Sequence, residues 1–376
     1  MPNEHDRDTV ELYPPYPRFE CDLDKLRENL DEITRRCGEA GIAVAGVVKG
    51  VFAREEIVRV YEQSNVGFIA TSRVDQLRSM RAAGSTRKPM MLIRVPMLSE
   101  LSAVIALSDV SLQSDLSVLR AADAEARRQG KRHGVILMAD LGDLREGFWG
   151  EAELVDAALT VERELHSLRL LGVGVNLSCY GSVKPTPAKM EDLIRSAQAV
   201  EAAIGRPLEY VSGGASTSMY MVLDGTMPSR VNLLRIGEFG LLGGRCSDCF
   251  PEFSHKDLFT LKAEVIECRD KPSYPIGELT VDAFGHVQHY EDRGVRRRAL
   301  LGVGRVDYGD PFDLIPRMRG VEIIGASSDH TILDVEAVKD QIKVGDVLEF
   351  DVTYGTMAFL SNARGVNFVC TGTQRQ

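Results

Sequence analysis

The chain has 376 residues, more than one domain usually holds, so two domains are expected. It carries 45 basic against 55 acidic residues, a formal net charge of -10, and no basic run long enough to follow a phosphate backbone, which argues against nucleic acid as a partner. The first 30 residues are polar and acidic, and no later stretch reaches membrane-spanning length, so a soluble cytoplasmic protein with no membrane partner is expected.

The proline-bearing start of the chain, residues 1–16, reads as a tail or as a strap across the second domain. Short apolar runs then alternate with longer amphipathic stretches, as repeated βα units around a parallel sheet require. Strands are predicted at Arg18–Cys21, Ala43–Lys49, Gly67–Thr71, Pro89–Arg94, Val110–Leu112, Gly134–Asp140, Leu168–Ser178, Leu208–Ser212 and Val231–Ile236. That is one strand more than a (β/α)8 TIM barrel needs, so one of them is wrong or lies outside the closed barrel. Helices are predicted at Leu23–Ala40, where Leu26, Leu30 and Ile33 recur behind the capping residue Asp22, and at Leu116–Gln129, between Asp115 and Gly130. Beyond Gly243-Gly244 the texture changes to short β-type runs at Leu261–Glu267, Glu278–Asp282, Ala299–Val303, Val321–Ile324, Ile332–Val335 and Val347–Val352. The expected organisation is a barrel over 17–250 and a C-terminal all-β domain over 251–376.

Seven scattered cysteines argue against a disulfide framework and for a reducing compartment. Cys246-Ser247-Asp248-Cys249 has the spacing of half a zinc site, but no second pair accompanies it, so no metal is expected. Lys49 ends the apolar run Ile42–Val48, which puts an amine at the rim of the sheet; burial there would lower its pKa and suit it to forming a Schiff base. A surface lysine at a strand end is the plainer alternative. The turn Val211-Ser212-Gly213-Gly214-Ala215-Ser216-Thr217 and the stretch Asn232-Leu233-Leu234-Arg235-Ile236-Gly237-Glu238 follow the last barrel strands, where this architecture often holds a phosphate.

Several segments in this order and spacing carry a resemblance. They are Val47-Val48-Lys49, Asp140-Leu141-Gly142-Asp143-Leu144-Arg145-Glu146-Gly147, Asn176-Leu177-Ser178-Cys179-Tyr180-Gly181, Ser212-Gly213-Gly214-Ala215-Ser216 and Leu234-Arg235-Ile236-Gly237-Glu238 in the barrel. Lys271-Pro272-Ser273-Tyr274-Pro275-Ile276-Gly277 and Gly325-Ala326-Ser327-Ser328-Asp329-His330 follow in the second domain. With them the chain resembles the pyridoxal-phosphate enzymes of the alanine racemase-like barrel type, and within these the alanine/ornithine racemase family. The resemblance implies that Lys49 holds pyridoxal 5'-phosphate as a Schiff base and serves as the base on one face of Cα. Arg235 would face the pyridine nitrogen. Ser212, Gly214, Ser216 and the amide of Gly237 would hold the phosphate, and Asn176 would contact the ring. Arg145 would contact the cofactor phenolate and the substrate carboxylate, which Ser328 and Asp329 would receive across the interface of a homodimer. Plainer roles exist for three of these: a helix-start ion pair for Arg145, a turn for Asn176, a strand-end ion pair for Arg235.

Two departures from alanine racemase stand out. The tyrosine expected in a Gly-Tyr-Ala-Asp motif is replaced by Arg305 in Gly304-Arg305-Val306-Asp307, which leaves Tyr308, Cys179 and Tyr180 as candidates for the second acid–base group on chemistry alone. The lysine that some alanine racemases carbamylate falls at Met138, so Arg145 needs another anion, Asp143 or Glu146. The expected function is racemization of ornithine or a related diamino acid, whose cationic side chain would call for one of Asp143, Glu238, Asp307 or Asp329. A basic amino-acid decarboxylase is the second reading, disfavoured because those enzymes place a glutamate where Arg235 stands. A pyridoxal-phosphate carrier without turnover is the third, disfavoured because such proteins resemble the barrel alone.

Overall fold

The computed structural model describes residues 15–244 and 251–372, and the Cys246/Cys249 pair and the predicted N-terminal tail up to residue 14 lie outside them. The chain forms two compact units, one built on Asp22–Leu258 and the other on the N-terminal strand together with Phe259–Cys370. Strand β1 (Arg18–Asp22) belongs to the second of these. The strands that follow are β2 (Ala43–Val47), β3 (Phe68–Thr71), β4 (Met90–Leu92), β5 (Val110–Gln113), β6 (His133–Asp140), β7 (Phe148–Trp149), β8 (Leu168–Val175), β9 (Tyr210–Ala215) and β10 (Leu233–Ile236).

Eight of them close a parallel barrel in the order β2-β3-β4-β5-β6-β8-β9-β10. The ring is completed where Leu233 pairs with Ala43 and where Val110 pairs with Gly134. The two-residue β7 adds only to the end of β6. The apolar runs are continuous because both faces of each strand are covered. One face, with Ala45, Val47, Phe68, Ala70, Met91, Leu112, Ile136, Met138 and Leu233, forms one buried cluster; the other, with Val135, Leu137, Val173, Val175 and Val211, packs with helical residues such as Leu154, Leu193 and Val200. Asp22 and Asp115 cap their helices as predicted, each accepting from the backbone N–H groups two and three residues on.

Close strand approach fixes one glycine. A Cβ on Gly172 of β8 would lie 2.1 Å from the carbonyl oxygen of Tyr210, its partner on β9. Gly172→Ala is therefore expected to wedge the two strands apart and lower stability by about 2 kcal/mol, read as a shift in the urea midpoint.

The second unit is antiparallel. Its strands are β11 (Phe259–Pro272), β12 (Val295–Leu301), β13 (Leu314–Pro316), β14 (Glu322–Ala326), β15 (Thr331–Asp334), β16 (Val347–Val352) and β17 (Asn367–Thr371), with β1 and β17 paired beside the long β11. Phe19 of β1 stacks on Phe259 of β11 with ring centroids 5.2 Å apart, and Phe368 meets Phe19 edge-on at 5.3 Å. Two expectations are corrected here. Arg18–Cys21 is a strand outside the barrel, pairing with Phe259–Lys262. Glu278–Asp282 is not a strand: Leu279 and Val281 are exposed, and the Asp282 carboxylate turns the chain by accepting from the N–H groups of Phe284 and His286.

Candidate active site

In an α/β barrel the inward-facing residues at the carboxyl ends of the strands share one basin. Lys49 stands there, two residues past β2, in a short turn that continues the sheet through Val48 N–H donating to the Ala70 carbonyl at 2.9 Å. Phe52 and Ala53 follow with φ of 52° and 49°, a left-handed pair that non-glycine residues adopt only when their surroundings enforce it. Burial lowers the Lys49 pKa; the Cys179 sulfur and Glu146 oppose that trend, while Arg145 and Arg235 add to it. Lys49, Arg145, Glu146, Cys179 and Arg235 thus share one electrostatic neighbourhood, drawn from the ends of four strands.

Arg235, on β10, is 4% exposed and donates to Ser212 Oγ and, at 2.7 Å, to the carbonyl of Val175. Both partners are neutral. Burial brings its pKa down to about 10, which leaves it cationic at neutral pH. Arg145 is half-exposed and pairs through Nε and a terminal nitrogen with Glu146. Burial works against the charge on Arg145, but the Glu146 carboxylate more than offsets it and raises the guanidinium pKa. Of the two anions the sequence offered for Arg145, Glu146 is the partner. Met138 lies in the barrel core, 0% exposed.

The two glycine-bearing turns meet. Ser216 Oγ accepts from the N–H groups of Gly237 and Phe239, both at 3.1 Å, so the β9 and β10 turns are joined at one hydroxyl. Gly214 has φ 102°, and a Cβ on Gly237 would sit 3.1 Å from Val47 Cβ, two residues before Lys49. Thr217 Oγ1 beside them is buried without a hydrogen-bond partner. Asn176, one residue past β8, is 8% exposed; its Oδ1 accepts from Cys179 Sγ at 3.4 Å and its Nδ2 is buried and unpartnered. Buried polar atoms of this kind are uncommon in native interiors, and here two of them lie at the carboxyl end of the barrel, where a polar ligand or water would satisfy them.

Other predicted residues fall elsewhere. Tyr308 is 0% exposed in the second unit, its hydroxyl 2.6 Å from Thr331 Oγ1, and burial pushes its pKa up to about 12. A phenol with no exposed surface and an engaged hydroxyl is poorly placed to exchange protons with a substrate, which counts against Tyr308 as the second acid–base group. Tyr180 is 72% exposed at a loop tip. Arg305 lies over the Phe284 ring at 4.1 Å, 4.0 Å from Asp282. Ser328 Oγ donates to Asp329 at 2.6 Å on an exposed turn, whose backbone accepts from Arg305 and Val306. Asp143 and Asp307 already accept from backbone N–H groups, which weakens either as the seat of a substrate ammonium. Thr217 was read only as part of the glycine-bearing turn and not named as a contact residue; the hydroxyl next to Ser216 was the available signal. Among the described residues no group of three or more His, Cys, Asp or Glu side chains is arranged to hold a metal ion.

Residues 21–243 match the family model described as alanine racemase, N-terminal domain, and the chain belongs to that family. It is an amino-acid racemase, an isomerase. It is 39% identical over 343 residues to ornithine racemase of Acetoanaerobium sticklandii, covering 91% of this chain and 96% of the relative. Lysine racemase of Thermotoga maritima is 35% identical over 343 residues, covering 91% and 95%. Among solved structures, alanine racemase from Streptomyces lavendulae matches with a TM-score of 0.72 at 19% identity, over 95% of this chain and 97% of that one. D-threonine aldolase from Filomicrobium marinum matches with a TM-score of 0.69 at 16% identity, over 92% and 89%. At those identities the structural likeness shows the fold, a barrel joined to a β domain.

Proposed function

We propose that the chain is a pyridoxal-phosphate-dependent racemase of ornithine or a closely related diamino acid. The observation that carries the reading is the buried Lys49 amine, with its lowered pKa, set among Arg145, Glu146, Cys179 and Arg235 at the mouth of the barrel. The residues fit the cofactor: Thr217 Oγ1 and Asn176 Nδ2 are buried donors without partners, and the Ser216 hydroxyl, fixed by the Gly237 and Phe239 N–H groups it accepts, keeps its own proton for a phosphate. Bound through Lys49, the cofactor supplies an electron sink that acidifies the substrate Cα–H.

The chain's own groups do the rest. The Lys49 amine would take or return the proton at Cα on one face. Arg235 keeps a positive charge at the end of β10; facing the pyridine nitrogen, it would make a second positive charge there costly and so would disfavour protonation of the ring. A cofactor held in that way would supply a weaker electron sink, in keeping with racemization rather than decarboxylation. Arg145, steadied by Glu146, receives the α-carboxylate. Of the candidates for the second face, Cys179 is the one whose charge is felt by Lys49, and its thiol is exposed beside Asn176. The two curated relatives, which act on ornithine and on lysine, support a diamino-acid substrate. The homodimer expected of the family, with Ser328 and Asp329 at the interface, and a cytoplasmic location complete the reading; no described helix is long and apolar enough to cross a membrane.

The test is proton NMR in deuterium oxide with pyridoxal phosphate and L-ornithine, L-lysine or L-alanine. Loss of the Cα signal with appearance of the D-enantiomer, fastest for ornithine or lysine, is the expected result. Release of a diamine would replace the reading with decarboxylation, and stoichiometric cofactor with no exchange would replace it with a carrier.

A further inference from the structure

The loops after β6 and β8 carry Arg145 on one side and Asn176 and Cys179 on the other, and one side chain ties them together. Asp143 is 1% exposed. Its Oδ1 accepts from the N–H groups of Ser178 at 3.0 Å and Val183 at 3.2 Å. Its Oδ2 accepts from Cys179 at 3.3 Å and Tyr180 at 3.1 Å. Its own carbonyl takes a further bond, from Gly181 N–H at 3.0 Å. A run of backbone N–H groups converging on one point is the kind of concavity that usually cradles a free anion. Here the chain fills it with its own carboxylate, from 35–40 residues upstream.

The arrangement opposes real strain. Leu144 next to Asp143, and Ser178 and Ser182 in the other loop, have φ of 58°, 62° and 54°, in the left-handed region that non-glycine residues avoid. Local bonds account for part of this, since Ser178 Oγ donates to the Val183 carbonyl at 2.9 Å. The carboxylate is the group that reaches across. Burial alone would raise its pKa, and the N–H groups of Tyr180, Val183, Cys179 and Ser178 outweigh that and hold it ionised.

We propose that Asp143 is a positioning residue for the racemase reaction: its carboxylate latches the Ser178–Val183 loop to the Arg145 loop and so sets where Asn176 and Cys179 stand relative to Arg145 and Lys49. The inference rests on the racemase reading for its kinetic half only. It also explains why an aspartate in the same motif as Arg145 leaves Glu146 to pair with the arginine.

Asp143→Asn tests it with almost no change of shape. Whichever way the amide is turned, its NH2 faces two N–H donors, so two of the four bonds are lost. In the cofactor-free protein the amides of Ser178, Cys179, Tyr180 and Val183 are expected to exchange with deuterium about tenfold faster, with far-UV circular dichroism unchanged. In the loaded enzyme kcat for ornithine is expected to fall about 10²-fold, with KM changing less. Gly181→Ala, whose Cβ would meet the Asp143 carbonyl oxygen at 2.7 Å, attacks the other half of the latch and should reproduce both changes. Unaltered amide exchange in Asp143→Asn overturns the latch, and faster exchange with wild-type kcat overturns the positioning role. Unfolding of both variants overturns the claim that the latch is local to the site. If wild-type enzyme shows no racemization of any diamino acid while the exchange difference stands, the substrate reading fails and the latch survives.

Discussion

Replacing Lys49 with alanine is expected to lower the rate of Cα proton exchange at least about 10³-fold, because the residue serves both as the attachment point of the cofactor and as the base. Two features make this side chain irreplaceable. Its amine is held in a basin where burial favours the neutral, nucleophilic form, and the other cationic groups of the site, Arg145 and Arg235, stay protonated at neutral pH. The fold should not suffer: the strand core ends at Val47, and Lys49 lies beyond it in a short turn. The comparison is made on variant and wild type side by side, with the Cα signal of ornithine followed in deuterium oxide and the thermal midpoint as a control for folding. Residual exchange above about a tenth of the wild-type rate would remove Lys49 from both roles.

Acid destabilisation centred on His133 is the second large effect. His133 opens β6, is 2% exposed, and places Nε2 2.9 Å from Ser111 Oγ on the neighbouring β5. Burial lowers its pKa from 6.5 to about 4, with the Asp109 charge opposing only in part. At pH 7 the ring is neutral whether the chain is folded or not, so nothing is lost. As the pH falls below 6.5 the unfolded chain takes up a proton that the folded chain refuses, and stability declines until the folded ring also titrates, near pH 4, below which both states carry the proton. The shift corresponds to about 3 kcal/mol across that window. Urea midpoints measured from pH 7 to pH 4 should fall steeply for wild type and less steeply for His133→Gln, and the imidazole resonances of His133 should stay in their neutral positions to near pH 4. Parallel slopes for the two proteins would place the acid sensitivity elsewhere, among the paired carboxylates.

Much of the barrel was legible because a strand covered on both faces has to be apolar throughout. The runs at Ala43, Gly67 and Pro89 contain strands buried at nearly every position. The surplus run, Arg18–Cys21, differed visibly: charged and apolar residues alternate in it, as they do in a strand with one solvated face, and its burial alternates to match. That period, read more strictly, would have removed it from a parallel barrel. Glu278–Asp282 has β-type composition but no partner strand, and the bonds made by Asp282 are those of a turn, a competition that composition alone does not reveal.

Within the site, residues at strand ends could be located from the sequence, because the architecture dictates where strand ends gather. What could not be read was which groups are already engaged. Tyr308 has the right chemistry for acid–base work, and only its packing shows that the hydroxyl belongs to Thr331. Asp143 looked available to a cationic substrate because its four N–H donors lie 35–40 residues further along the chain. The ion pair of Arg145 with Glu146 joins adjacent residues, yet choosing it over Asp143 required knowing that Asp143 was occupied elsewhere.

The pairing of Arg18 with Lys262 carries a consequence for biosynthesis. A ribosome releases the first of these strands long before the second, and at about 5–20 residues per second the interval runs to tens of seconds. Throughout that time β1 is an unmatched edge bearing Phe19, ready to pair with any complementary strand it meets, and the barrel itself closes only near the end of the interval, when β10 is made. Polypeptides stalled anywhere before Phe259 should therefore be the aggregation-prone species, and chaperone dependence should fall sharply once β11 has emerged.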